Sequence, residues 1–228
     1  MTPTFSFIIP VLNEETVIPG TIQHIRGLFA FCADEIIVVD GDTEGKTINI
    51  ARNFGVKTLI SEKGRGAQMN RGAALATGEI LIFLHADTLL PNDALELIAT
   101  VMQDKTISAG VFDLSIDSEK AVFRVIEKAA SFRSRITRIP YGDQAIFMRR
   151  SFFNDIGGFK NIPIMEDVEI MQRIKKQGGK ICIIDRAVRT ASRRWEKEGI
   201  LYTTLRNWLL LSLYLFGVKP EKLVRFYR

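Results

Sequence analysis

Two hydrophobic rhythms alternate along the first hundred residues. Short apolar runs at residues 5–11 (FSFIIPV), 35–39 (EIIVV), 56–60 and 79–84 predict buried strands. Between the first two, Val17, Ile18, Ile22, Ile25, Leu28 and Phe29 recur at helical spacing. Residues 47–54 predict a second helix, with Ile48, Ile50, Ala51 and Phe54 free to pack. Residues 67–76 predict an Ala-rich helix stopped by Gly78, and residues 93–102 another behind Pro91 and Asn92. Strands alternating with helices predict an α/β fold, a mostly parallel sheet flanked by helices. Such sheets take ligands in the crevice beyond the carboxyl ends of the strands.

The rhythm changes in the second half. Residues 109–116 alternate apolar and polar as a strand does, and residues 120–136 predict a helix with scattered Arg and Lys. A short strand at 145–148, a helix at 168–176 and a strand at 181–184 follow. Residues 200–217 form a Leu-rich helical stretch, expected to complete the core or a dimer contact; a membrane-facing role is the alternative. Its most apolar part, WLLLSLYLFGV, is shorter than the ~20 residues of a spanning helix, and Arg206 and Asn207 precede it.

Hydrophobic residues make up 46% of the 228, enough for a sizeable core and too many for a disordered chain. The two cysteines, Cys32 and Cys182, lie far apart and form neither a metal set nor a disulfide framework, which fits a reducing compartment. The first apolar run lacks a basic leader and is cut by Pro10 and by Asn13-Glu14-Glu15, so it reads as a strand, not a signal peptide. A formal charge of +5 leaves open a polyanion, an anionic membrane face, a phosphorylated substrate, or a merely basic soluble protein.

Chemistry gathers where the strands end. Asn13, Asp40 and Asp87 each follow a strand along one rim. Any one of them suits a helix cap or turn. The two carboxylates among them, Asp40 and Asp87, repel unless a cation lies nearby, and Mg²⁺ or Mn²⁺ on a nucleotide diphosphate is such a cation. SEKGRGAQMNRGAA sets Lys63, Arg65 and Arg71 among Gly64, Gly66 and Gly72, as a phosphate-facing helix start does; an ordinary basic turn is the other reading. It is not a P-loop, and Met69 stands where a dinucleotide fingerprint needs its third Gly, which argues against a Rossmann dehydrogenase. Glu166-Asp167 opens a helix, where the dipole alone favours acids.

FSFIIPVLNEE, EIIVVDGDTEGKT, GEILIFLHADTLLP and PIMEDVEIMQRI, in that order, resemble the successive motifs of family-2 glycosyltransferases of the GT-A fold. KGRGAQMN, FLHADT, YGDQAIFMRR and RRW are similar to a small bacterial subgroup of that family. The resemblance spans roughly residues 5–194. It implies an inverting, metal-assisted sugar transfer from a nucleotide sugar, a UDP-sugar first, with GDP- or dTDP-sugars as alternatives. His85-Ala86-Asp87 looks like a variant Asp-x-Asp motif, with Asp87 the ligand of Mn²⁺ or Mg²⁺ and His85 a second ligand or a nucleotide contact. Pro10, Asn13 and Glu14 would border the nucleotide, Asp40 would accept from the base, and Arg65, Gln68 and Arg194 would meet ribose or phosphates. Asp167 would be the general base, with Glu166 supporting it. Tyr141, Asp143, Gln144 and Trp195 would face the donor sugar or acceptor.

The chain is then one GT-A domain, 1–228: a nucleotide-sugar half (1–110), an acceptor and catalytic half (111–195) and a helical appendage (196–228). The chain is expected to be cytoplasmic with no nucleic-acid partner; a place at the inner membrane face, with peripheral membrane contact and a lipid-linked acceptor, is the alternative raised by the two late helical segments, 121–138 and 200–217. Two rivals remain. A sugar-1-phosphate nucleotidyltransferase should carry a Gly-rich basic signature after strand one, and PVLNEE is neither. An inactive nucleotide-sugar-binding or membrane-docking module would account for His85 in place of an acid.

Overall fold

A computed structural model describes residues 3–29 and 35–227. Cys32 lies outside the described residues. The first strand, β1 (Phe5–Val11), is buried along its whole length. Phe5, Phe7, Ile9 and Val11 point to one face of the sheet, and Ile8 to the other, as the two-residue period of a strand requires. Each face has its own core. Helices α1 (Ile18–Leu28), α2 (Lys46–Arg52), α4 (Ala94–Gln103) and α5 (Ala121–Thr137) pack on the first. Helices α3 (Arg65–Leu75), α6 (Arg150–Asp155) and α7 (Glu166–Lys176) pack on the second.

The remaining strands are β2 (Glu35–Asp40), β3 (Lys57–Ile60), β4 (Ile80–Phe83), β5 (Thr88–Leu89), β6 (Ile107–Asp117), β7 (Ile146–Arg149) and β8 (Lys180–Ala191). The sheet order is β3-β2-β1-β4-β7-β6-β8-β5. The β3-β2-β1-β4 half is parallel, so the ends of β1, β2 and β4 share one edge. Strand β7 runs antiparallel to β4 and to β6, so the sheet is mixed beyond β4. Three helices close the chain: α8 (Arg193–Glu198), α9 (Ile200–Leu215) and α10 (Pro220–Leu223).

The structure alters three sequence-based expectations. Gly78 does not stop α3, which ends at Leu75 with Ala76 extended. Its requirement is close approach: a Cβ there would lie 2.6 Å from Ser6 Oγ and 2.7 Å from the Phe5 carbonyl carbon. Strand β8 continues past residue 184 to Ala191. The exposed Asp185 and Arg186 break the apolar run, and the register against β6 shifts there. Helix α9 turns only part of its leucine content inward. It buries Thr203, Arg206, Leu210 and Leu211, and Arg206 pairs with Glu198 at 2.6 Å. Leu201, Leu205, Trp208 and Leu209 on the other side remain exposed.

Glu35 ties the parallel half together. Its carboxylate accepts from Ser6 Oγ on β1 (2.6 Å), from Lys57 on β3, and from the Thr77 backbone N–H and hydroxyl before β4. Burial pushes its pKa up, but these donors outweigh burial and leave it at about 2, against an ordinary 4.5. A depressed folded pKa gives stability that is present above the unfolded value and lost as pH falls through the folded one. Glu35→Gln is therefore expected to cost about 1–2 kcal/mol at neutral pH. In urea unfolding series the gap to wild type should shrink from pH 4.5 towards pH 2; a gap independent of pH would contradict the assignment.

Candidate active site

The carboxyl ends of β1 and β4 open into a crevice of about 1270 Å³. Pro10 lines it from the end of β1, Asn13 and Glu14 from the turn after β1, Arg65 and Gln68 from α3, and His85 and Asp87 from the turn after β4. Tyr141 and Asp143 reach it from the 3₁₀ turn Gly142–Gln144, Asp167 from α7, and Arg194 and Trp195 from α8. Asn13 has a left-handed backbone (φ 57°), which Asn tolerates better than most residues and which turns the chain off the strand. Chain segments over 180 residues apart thus converge because parallel strands deliver their ends to one edge.

Asp167 sits in the first turn of α7, where the helix dipole favours an anion. Its Oδ2 accepts the Gly142 N–H at 2.7 Å, and its Oδ1 the Val168 N–H at 2.8 Å. A Cβ on Gly142 would come within 3.2 Å of His85 Nε2 and 3.3 Å of Asp167 Oδ2, so Gly142 lets the imidazole and the carboxylate approach. Burial, followed by the nearby Arg65 charge, lowers the His85 pKa to about 4 despite Asp87 and Asp167. His85 is therefore neutral at pH 7.

Glu166 lies beneath the crevice wall instead of on it. It is buried and holds Arg65, with Arg65 Nε 3.0 Å from Glu166 Oε1, and this carboxylate keeps the guanidinium firmly protonated. Arg65 is thereby aimed into the crevice by a buried partner. Gln68 lines the crevice, but its Nε2 is spent on the Val11 and Val39 carbonyls, 2.7 and 2.8 Å away, clamping the ends of β1 and β2.

Two expected ligand contacts lie elsewhere. Asp40 is fully buried and outside the crevice lining; its Oδ1 accepts the Asp42 N–H at 2.9 Å. Burial raises its pKa, and the Asp42 and Ile48 backbone N–H groups oppose that rise. Its Oδ1 thus serves the β2–α2 turn, while Oδ2 is buried without a hydrogen-bond partner among the described residues. Gln144 is also buried: its Nε2 donates to the Phe112 carbonyl, and its Oε1 accepts from Ser134 and the Tyr141 N–H. Its amide is thus committed to the protein interior through Oε1 and one Nε2 hydrogen.

By contrast, Asp143 Oδ1 and the Tyr141 hydroxyl are buried without a hydrogen-bond partner among the described residues. Burial pushes Asp143 up to about 6 against the pull of Arg133, and Tyr141 up to about 12. Arg133 lies over the Tyr141 ring at 3.6 Å. Arg194 is engaged by the C-terminal segment: it stacks on Tyr227 at 4.0 Å, donates to its carbonyl, and pairs with Glu198 at 3.3 Å. Trp195 meets Phe123 edge-on at 6.0 Å.

Sequence reading missed Arg193. One of its terminal nitrogens lies 3.2 Å from Glu14 Oε2 and 3.0 Å from Asp87 Oδ2. The need for a cation between acids at the rim was readable in the sequence; which of two adjacent arginines supplies it was not.

No group of three or more His, Cys, Asp or Glu side chains among the described residues could enclose a metal. A Mg²⁺ or Mn²⁺ held by one carboxylate would need substrate phosphates and water to complete its shell. Asp87, on the crevice wall with its side chain 27% exposed, offers such an oxygen, and neutral His85 stands beside it.

The profile of glycosyl transferase family 2 matches residues 6–160. A "PGL/p-HBAD biosynthesis glycosyltransferase" of Mycobacterium tuberculosis is 33% identical over 174 residues, 69% of this chain and 63% of that protein. A probable glycosyltransferase, YdaM, of Bacillus subtilis is 27% identical over 86% of this chain and 51% of its own length. The chain thus spans about half to two thirds of these curated relatives. Among solved structures, a mannosyltransferase from Pyrobaculum calidifontis in complex with GDP-Man and Mn²⁺ superposes with TM-score 0.68 at 20% identity, over 97% of this chain and 67% of that one. Glucosyl-3-phosphoglycerate synthase from M. tuberculosis, with Mn²⁺, UDP and phosphoglyceric acid, gives TM-score 0.64 at 19% identity, over 95% and 79%. These two likenesses speak for the fold, while the profile match across most of the chain decides the family: it belongs to glycosyl transferase family 2.

Proposed function

We propose that this protein moves a sugar from a nucleotide-sugar donor to an acceptor hydroxyl, with inversion at the anomeric carbon. The observation that carries the reading is the placement of Asp167 beside His85 in the crevice that Asp87 also lines. Asp167 takes the acceptor proton as that oxygen attacks the anomeric carbon. The bond from that carbon to the phosphate oxygen breaks, and its electrons leave with the nucleoside diphosphate. Arg65, fixed by Glu166, opposes the charge that develops there. A divalent cation on Asp87 would supply further charge neutralisation to the same group.

The structural neighbours in complex with GDP-Man and Mn²⁺, and with UDP and Mn²⁺, support a nucleotide-sugar donor and a divalent metal, Mn²⁺ or Mg²⁺. A UDP-sugar stays the first donor to try, with GDP- and dTDP-sugars beside it. The unpartnered Asp143 Oδ1 and Tyr141 hydroxyl suit recognition of sugar hydroxyls.

A second reading concerns the acceptor. The outward row of α9 sets Leu201 at 73%, Leu205 at 63% and Leu209 at 58% exposure. Val125, Phe132 and Ile136 on α5 are exposed too, beside Arg124, Lys128 and Arg135. Ile126 of α5 and Trp208 of α9 line the crevice itself. An apolar face with basic neighbours at the mouth suits peripheral contact with an anionic membrane and a lipid-linked acceptor. No helix among the described residues is long and apolar enough to cross a membrane.

Asp167→Asn is expected to keep donor affinity and lose transfer by about 10²–10⁴-fold, read as nucleoside diphosphate release; full turnover would remove Asp167 as base, and pyrophosphate release would favour a nucleotidyltransferase. Asp87→Asn is expected to abolish Mn²⁺-dependent donor binding in calorimetry, and an unchanged isotherm would clear Asp87 of that role. With phosphatidylglycerol vesicles, wild type should co-sediment and the double variant L205E/L209E should stay in the supernatant. Equal partitioning of the two would count against the membrane reading.

A further inference from the structure

The crevice contains a built-in cation that competes with the metal for its carboxylate. Glu14 follows β1, and Asp87 lies in the turn after β4; each side chain is about a quarter exposed, at 27%. The same Arg193 nitrogen bridges Glu14 Oε2 and Asp87 Oδ2. Both carboxylates bind the guanidinium, while burial around it works the other way. Arg193 is itself 49% exposed and is the first residue of α8, so its side chain is not locked into a core. A metal ion on Asp87 Oδ2 and a guanidinium on the same oxygen exclude each other.

We propose that Arg193 is a positioning residue that holds the metal's carboxylate until metal and donor bind, and moves onto the donor diphosphate when the two arrive together. A divalent cation and a nucleotide-sugar diphosphate carry charges that cancel, so the exchange leaves the net charge of the site unchanged. Before loading, one guanidinium offsets two carboxylates. After loading, a divalent cation offsets Asp87 and the diphosphate, and the freed guanidinium fork fits phosphate oxygens. Metal alone gains little, because it must displace Arg193 with nothing to receive it. Metal with diphosphate gives the arginine a new anion. Donor binding and metal binding are thereby coupled through one side chain.

The proposal rests on the sugar-transfer reading only for the identity of the diphosphate, so the test has two arms. Free Mn²⁺ is measured by electron paramagnetic resonance, first with protein alone and then with UDP, GDP or dTDP added. Arg193→Gln is expected to bind Mn²⁺ alone about threefold or more tightly than wild type, since the competing cation is gone. The same variant is expected to bind the nucleoside diphosphate with Mn²⁺ about tenfold more weakly. Arg193→Lys keeps the charge without the fork, so it should restore competition with the metal but not diphosphate affinity. Unchanged Mn²⁺ affinity in Arg193→Gln would overturn the hold on the carboxylate. Gain of metal affinity without loss of diphosphate affinity would overturn the transfer onto the donor. Failure of all three nucleotides to bind wild type would overturn the nucleotide-sugar reading and the diphosphate half of this proposal, while the metal-only arm would still decide the hold on the carboxylate.

Discussion

Acidic side chains at the ends of β1 and β4 repel unless positive charge is interposed, and the site is arranged around that requirement. Glu14 and Asp87 share Arg193. Glu166, buried behind the wall, gives its charge to Arg65 and so fixes a cation in the crevice. Asp167 has no such ion pair; two backbone N–H groups and a helix N-terminus stabilise its charge instead. A carboxylate held by backbone dipoles keeps a free lone pair towards the crevice, which a proton acceptor needs and an ion-paired acid lacks. The chemistry of the two acids in Glu166-Asp167 therefore diverges although they are adjacent.

The scaffold behind these groups is polar as well as apolar. Glu35 joins β1, β2, β3 and the start of β4, and Gln68 clamps the ends of β1 and β2. Gln144 performs the same service under the second half, linking α5, β6 and the Tyr141 turn. Buried amides and carboxylates with every partner satisfied are costly to move, so the strand ends hold their register. Among the buried groups left without a hydrogen-bond partner, Asp143 Oδ1 and the Tyr141 hydroxyl belong to crevice residues. An ordered frame with a few unpaired polar atoms at its mouth is what selective binding of a hydroxyl-rich ligand calls for.

Much of this was legible from residue order. The parallel half follows from apolar runs separated by helical periodicity, and its boundaries match closely, as Phe5–Val11 illustrates. Asp87 and Asp167 are found from motif and position, and both line the crevice. Asp40 and Gln144 illustrate the opposite case. Each occupies a plausible position, yet the carboxylate of Asp40 turns to its own loop and the amide of Gln144 is consumed by three partners. Side-chain direction at a turn depends on local dihedral angles that residue types alone do not specify. Strand β8 was read short because Asp185 and Arg186 interrupt its apolar run, while a register shift carries the pairing past them.

The order of residues by itself determined which segments become strands and helices, because burial imposes periods of 2 and 3.6 on apolar positions. It also determined that acids and bases would meet at one sheet edge, since consecutive parallel strands end on the same side. Only the tertiary structure decided which charge faces which. Arg193 and Arg194 are the same residue type one position apart, yet one bridges Glu14 and Asp87 and the other stacks on Tyr227. The phase of α9 was decided in the same way: Arg206 faces inward to Glu198 together with Leu210 and Leu211, and Leu201, Leu205 and Leu209 face outward. The reason is physical: helical phase and long-range pairing are set by contacts between segments far apart in the chain, and no local pattern encodes them.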